Sequence, residues 1–275
     1  MPEWARNLEE RLLRGRLEPT DHYWLDPTLL LKQVGKPPDP WQEKVLRSTH
    51  PRLMLLCSRQ VGKSTVAGAF LAKTLLIEAP SFCLVLAQNA EKSQFFLETK
   101  LRPLLVKAGA KFAPGGDLKM SITLANGSRV FALPGSEKGV RGYDSVDLLL
   151  LDEASRIPDE LYFAVRPMLG VSKGRLLAAS TPFGKRGWFF DEWERGADRA
   201  SGLRWHRERI TAYQCPRYTR EFLEEEKASM GERWFRQEYL AVFEDPIGAV
   251  FSDEDIRAAF RDDVTPMIPK VAVGK

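Results

Sequence analysis

Short apolar runs recur along the chain at residues 53–57, 82–87, 146–152 and 175–180. They are only a few residues long and hardly alternate with polar positions, which predicts strands covered on both faces. Between them, apolar residues recur at helical spacing over 63–78, 90–108 and 158–169. Strand and helix in alternation predict βαβ units and a mostly parallel sheet. The stretch Ser121–Ala132 breaks that rhythm, because Asn126-Gly127 sits between two β-patterned runs and predicts a hairpin.

The ends read differently. In residues 1–36, Leu8, Leu12 and Leu13 stand among Glu9, Glu10, Arg11 and Arg14, the pattern of short helical pieces. Lys36-Pro37-Pro38-Asp39-Pro40 then makes a stiff connector that disfavours helix. From about residue 211 the chain turns helical and charged, as in Glu221–Lys227, which predicts a small second subdomain. The expected division is a helical extension (1–36), a core (37–210), a small helical or lid subdomain (211–250) and a linker (251–275).

Composition adds limits rather than direction. With 275 residues, 44% hydrophobic and 28% charged, the chain has an ordinary globular make-up. No apolar run approaches the ~20 residues of a membrane span, and Met1-Pro2-Glu3-Trp4 does not open a secretory signal. Cys57, Cys83 and Cys215 lack the spacing of a disulfide framework or zinc site, which fits a reducing compartment. His22, His50 and His206 form no ligand set. A net charge of +4 permits a polyanionic partner without requiring one.

The candidate chemistry sits at the strand ends. Cys57-Ser58-Arg59-Gln60-Val61-Gly62-Lys63-Ser64-Thr65 follows an apolar strand and opens a helix. Such a loop aims backbone N–H groups at one anion, with Lys63 to neutralise the β/γ-phosphates and Ser64 to ligate Mg²⁺. Cys57 stands where the usual pattern has glycine, so a second motif is needed. Leu148–Leu151 supplies it by ending in Asp152 and Glu153. Carboxylates there suit a Mg²⁺ shell (Asp152) and a base for the attacking water (Glu153). Together the two motifs predict binding and hydrolysis of a nucleoside triphosphate.

Three further segments narrow the class. Trp41-Gln42 places an amide able to read the Hoogsteen edge of adenine beside an aromatic ring. Ser180-Thr181-Pro182 closes a strand with hydroxyls able to sense the γ-phosphate or its water. Gly139-Val140-Arg141-Gly142 can project a guanidinium, and an arginine supplied across a subunit boundary is worth ~10³–10⁵ in turnover.

In this order the segments resemble the ATPase domain of the large terminase subunit, the DNA-packaging motor of tailed phages and herpesviruses. The resemblance covers about residues 38–245. It implies a P-loop NTPase of the ASCE/RecA-like type, a three-layer α/β fold with a mostly parallel central sheet and a small C-terminal helical subdomain. It makes Trp41 and Gln42 adenine contacts, residues 58–65 the triphosphate loop, and Ser64 with Asp152 the Mg²⁺ ligands. Glu153 becomes the catalytic carboxylate, Ser180-Thr181-Pro182 the coupling element, and Arg141 the trans-acting finger, taken over Arg59 because its loop is freer. Lys100, Arg102 and Arg129 are candidates for gripping double-stranded DNA without reading sequence. Implied partners are that DNA, a portal protein, a small terminase subunit and further copies in a ring, pentameric by resemblance. The implied setting is the host cytoplasm, transiently at the procapsid portal, with no membrane contact. Large terminases usually carry a C-terminal nuclease as well, and here the sequence departs from the family: Asp253-Glu254-Asp255 reads as the acidic start of a short helix, so no nuclease activity is expected of this chain. Two other readings stay open at this level: an ATP-dependent helicase or remodeller, and a nucleotide-switched adaptor.

Overall fold

A computed structural model describes residues 20–133, 142–195 and 205–245, with short pieces at 6, 9–11, 13–14 and 258–259. Its first half runs α1 (Pro40–Arg47), β1 (Arg52–Cys57), α2 (Lys63–Ile77), β2 (Phe82–Leu86), α3 (Ala90–Phe96) and α4 (Arg102–Lys107). Then come β3 (Phe112–Asp117), β4 (Ser121–Leu124), β5 (Arg129–Leu133), β6 (Leu148–Asp152), α5 (Asp159–Val165) and β7 (Arg175–Ser180). The last elements are α6 (Gly187–Arg195), β8 (His206–Ile210), α7 (Arg220–Met230) and α8 (Glu232–Leu240).

Among the described residues the strands form one sheet of eight in the order β3-β4-β5-β2-β6-β7-β1-β8. Neighbours from β5 through β8 are parallel, and β4 pairs antiparallel with both β3 and β5. The predicted mixed α/β fold with a mostly parallel sheet is therefore present. Strand β7 lies between β1 and β6, so the ends of the phosphate-loop strand and the acidic strand flank Ser180.

The unbroken apolar runs follow from the layers. Leu53, Leu55 and Cys57 of β1 face the cluster under α1 and α2, while Met54 and Leu56 face the cluster under α5 and α6. The period of two sends successive residues to opposite sides, and helices cover both. After Ile210 the chain forms α7 and α8, whose small cluster holds Leu223 and Phe235.

The structure departs from the sequence reading where packing or proline intervenes. The expected helix 90–108 is α3 and α4 joined by a π-helical turn at Leu97–Leu101. Pro103 has no N–H and its ring crowds the carbonyl four residues back, so the preceding turn widens. That turn brings Lys100 against α2, where a Cβ on Gly68 would lie 2.7 Å from the Lys100 carbonyl oxygen. The 158–169 helix ends as a 3₁₀ turn at Arg166–Leu169, again at a proline. Strands β3 and β8 and helix α6 escape the apolar pattern. The first is glycine-containing and irregular, and the second, His-Arg-Glu-Arg-Ile, is a charged edge strand. Such edges carry few apolar residues, which guards against pairing with other chains.

Helix α2 is buried nearly all round, including Lys73, whose Nζ donates to the Leu46 carbonyl at 3.0 Å at the end of α1. Burial first, and Arg175 beside it, push the Lys73 ammonium down to about 8 from 10.5. Between those values the unfolded chain holds more protons than the folded one, so this residue makes stability rise with pH across that window. The penalty at lower pH is on the order of 3 kcal/mol. Denaturant midpoints measured from pH 7.5 to pH 10 are expected to rise more in the parent protein than in Lys73→Met. Equal slopes would contradict the assignment.

Candidate active site

The loop leaving β1 owes its shape to two left-handed residues, Gln60 at φ 56° and Gly62 at φ 96°. Glycine is needed at 62 for a second reason, since a Cβ there would sit 2.6 Å from the Gln42 amide nitrogen. Ser58 and Arg59 spend their N–H groups on the Ile210 and Glu238 carbonyls, at 2.8 and 2.9 Å. The N–H groups of Gln60, Gly62, Lys63 and Ser64 find no protein acceptor among the described residues. Free donors gathered at the start of a 15-residue helix form an anion cradle. Cys57, which replaces the usual glycine, is a buried strand end whose thiol is pushed up to about 12, chiefly by burial. It packs as an inert small hydrophobe.

Asp152 and Glu153 meet this cradle from β6. Lys63 Nζ donates to Glu153 at 2.8 Å and lies 3.5 Å from Asp152. Burial by itself would lower the Lys63 ammonium, but the two carboxylates outweigh it and hold it above the ordinary lysine value. Burial likewise favours neutral Glu153, and Lys63, with Arg156 behind it, reverses that and keeps the carboxylate below its usual range. Glu153 is therefore a ready anion at neutral pH, parked on Lys63. Its backbone is left-handed, φ 53°, a conformation that costs a non-glycine residue ~1–2 kcal/mol and turns its side chain off the strand.

Ser64 Oγ donates to both Asp152 oxygens, at 3.0 and 3.1 Å. One hydroxyl facing one carboxylate beside the anion cradle is a hard-oxygen donor pair that fits Mg²⁺. No trio of His, Cys, Asp or Glu suited to a metal stands together among the described residues. The other ligands would then be phosphate and water oxygens, as is usual for this ion.

The end of β7 is wired to the same acid. Thr181 Oγ1 donates to Glu153 at 3.4 Å. Ser180 Oγ is 2.7 Å from Ser155 Oγ and accepts the Ser155 N–H at 3.0 Å. Pro182 follows, buried.

Two cavities flank the loop. A chamber of about 310 Å³ is lined by Lys63, Glu153, Thr181, Arg156, Gln88 and Lys92, with Arg59 and Gln60. On the other side a cleft of about 690 Å³ is lined by Pro37, Pro38, Asp39, Pro40, Gln42, Thr65, Pro216 and Arg217, among others. Gln42 lies here with its amide already engaged: its oxygen accepts the Asp39 N–H at 2.9 Å, and its nitrogen donates to the Gly62 carbonyl at 3.2 Å. One N–H and one lone pair remain for a base. Trp41 differs from expectation. Its ring packs into the core with Val45, one turn along α1, and does not line the cleft, whose apolar wall is made of prolines.

The remaining candidates separate. Arg59 pairs with Glu238 on α8. Arg102 is spent on Asp117, at 2.7–2.9 Å, and Arg129 lies over the Phe82 ring at 4.5 Å. Arg129 pairs in register with Phe82 at the start of the parallel strands, the end opposite the phosphate loop. Lys100 sits on the π turn, half-buried. Arg141 lies outside the described residues. Sequence reasoning missed Asp39, Arg217, Ser155 and Arg156. A proline at the first helical position marks Asp39 as an N-cap. Its two bonds to Arg217, at 3.0 and 2.9 Å across 178 residues, leave no local signal.

Comparison with known proteins adds lineage to this geometry. The family model described as terminase large subunit, T4likevirus-type, N-terminal, matches residues 54–258. The large terminase subunit of Escherichia phage T5 is 29% identical over 255 residues, covering 85% of this chain and 56% of that protein. The chain thus spans little more than half of that curated relative. Among solved structures, the large terminase ATPase domain of Thermus phage P74-26 superposes with a TM-score of 0.66 at 21% identity, covering 83% of this chain and all of that one. The large terminase of a thermophilic bacteriophage, solved in complex with ADP, gives 0.63 at 13% identity, covering 74% of this chain and 53% of that one.

Proposed function

The chain belongs to the family of T4-like-virus-type large terminase subunits, whose N-terminal part it matches, and on that premise we propose that it is the ATPase unit of a phage packaging motor. It hydrolyses ATP to move double-stranded DNA into a procapsid. The helicase and adaptor alternatives are set aside by that membership. The observation that carries the reading is the meeting of the free N–H cradle with Lys63, Ser64, Asp152 and Glu153 in one place.

ATP would lie across the loop, base in the proline-walled cleft beside Gln42, γ-phosphate in the chamber beside Glu153. Phosphate oxygens offer Lys63 a more highly charged partner than Glu153, so its Nζ shifts to them and frees the carboxylate. Glu153 then accepts a proton from water as the water oxygen bonds to the γ-phosphorus. The bond from phosphorus to the bridging oxygen breaks, and its electron pair stays on ADP. Ser64 and Asp152 would hold Mg²⁺, which would supply neutralisation of the phosphate charge. Thr181 and Ser180 touch Glu153 and Ser155, so the change at the acid passes to the segment after β7.

Further copies in a ring, a portal and a small terminase subunit would be the partners, met at the procapsid in the host cytoplasm. Lys100, Arg102 and Arg129 remain the proposed DNA contacts, and for Arg102 the Asp117 pair must open first. Phosphate release measured with and without double-stranded DNA, over a range of protein concentrations, tests the reading. DNA stimulation with superlinear growth per mole is expected. Hydrolysis indifferent to both would count against a motor whose sites are shared between copies.

A further inference from the structure

The phosphate chamber opens onto a second cleft, of about 490 Å³, with which it shares Arg59 and Arg156. This cleft is unbalanced in charge. Its acids are matched: Glu238 by Arg59, Glu244 by Arg236 at 2.7 Å, and Asp245 by Lys185 at 3.1 Å. Its other arginines are not. Arg156 and Arg186 both lie over the ring of Phe183, their guanidinium carbons 4.1 and 5.1 Å from its centroid; neither forms an ion pair within 4 Å among the described residues, and Arg156 acts on Glu153 only from farther off. Arg233 donates only to the Asp245 main-chain carbonyl. Phe183 itself comes just after Pro182 and Thr181, the latter being the residue that touches Glu153.

Both guanidinium groups line one cleft, each within 5.1 Å of the same ring centroid, and each offers an oxyanion there charge-assisted hydrogen bonds of ~2.7–2.9 Å. The ring also holds them in place, so little side-chain freedom is lost on binding. The position matters as much as the charge. Orthophosphate released from ATP would form in the chamber while ADP still fills the loop and the cleft beside Gln42. The second cleft adjoins that chamber through Arg59 and Arg156 and so lies on one way out.

We propose that the Arg156–Phe183–Arg186 stack is a second oxyanion site, which receives orthophosphate leaving the catalytic chamber. This rests on the ATPase reading above and extends it to Phe183 and Arg186, which the hydrolytic machinery does not use, while Arg156 belongs to both sites. Arg186 is exposed and does not line the chamber, so its replacement leaves the fold and the catalytic groups in place.

The test is a ³¹P NMR titration of the full chain, saturated with ADP, with orthophosphate. The parent protein is expected to bind orthophosphate, and Arg186→Gln to weaken that binding about tenfold or more, as befits a lost charge-assisted contact. ADP affinity should stay within about twofold, and Arg186→Lys should fall between. Unchanged phosphate binding in Arg186→Gln overturns the proposal. So does a variant that loses affinity for a double-stranded DNA fragment while keeping orthophosphate, since the cleft would then serve nucleic acid. Failure of the parent protein to bind ADP at all would sink the ATPase reading instead, a result this titration separates from the other two.

Discussion

Replacing Glu153 with glutamine should reduce ATP turnover by ~10²–10⁴ while leaving nucleotide affinity nearly intact. The side chain keeps its shape and still accepts from Lys63, but an amide takes no proton from water. Fluorescent-nucleotide binding and steady-state phosphate release, run on the same preparations, separate the two effects. The expectation is sharper because Lys63 holds the parent carboxylate ionised, so incomplete ionisation does not limit the parent rate near neutrality. If the variant turned over at the parent rate, the base would have to be another group, and the wiring of Thr181 to Glu153 would lose its catalytic meaning. Weaker ATP binding with turnover preserved at saturation would instead make Glu153 a structural partner of Lys63.

The second large effect concerns Arg141, which lies outside the described residues and is proposed from its glycine-flanked loop. Arg141→Ala should bind ATP as the parent does and lose ~10³–10⁵ of its turnover if the guanidinium acts on a neighbour's γ-phosphate. A copy carrying Lys63→Ala cannot hold the triphosphate but still presents Arg141. Mixing the two inactive variants should therefore restore part of the activity, with a maximum at an intermediate ratio. Flat activity at every ratio would move the role to an arginine of the same chain. Arg59 is the nearest alternative, and its pairing with Glu238 would then have to break on nucleotide binding.

What the sequence disclosed depended on how local each constraint is. The phosphate loop and the acidic strand end were readable because both are short: backbone turn, charge and apolar run occupy consecutive positions. Strand β7 was legible to the residue, because residues 176–179 are apolar and Arg175 and Ser180 bound them. Strand β8 was not, since an edge strand with alternating charge gives no burial signal. The wall of the base-side cleft was misread for a related reason. Trp41 and Gln42 are neighbours in sequence but lie about 100° apart on α1, so one packs inward while the other meets the loop. Asp39, Ser155 and Arg156 gain their partners only when distant elements are brought together.

The contact between Gly68 and the Lys100 backbone ties two positions of the chain into one inherited unit. With a carbonyl where a methyl would have to go, no side chain can be accommodated at 68 unless the widened turn before Pro103 is rebuilt as an ordinary one. The glycine and the proline should accordingly be lost or kept together, so that among descendants of this fold a change at one marks a compensating change at the other.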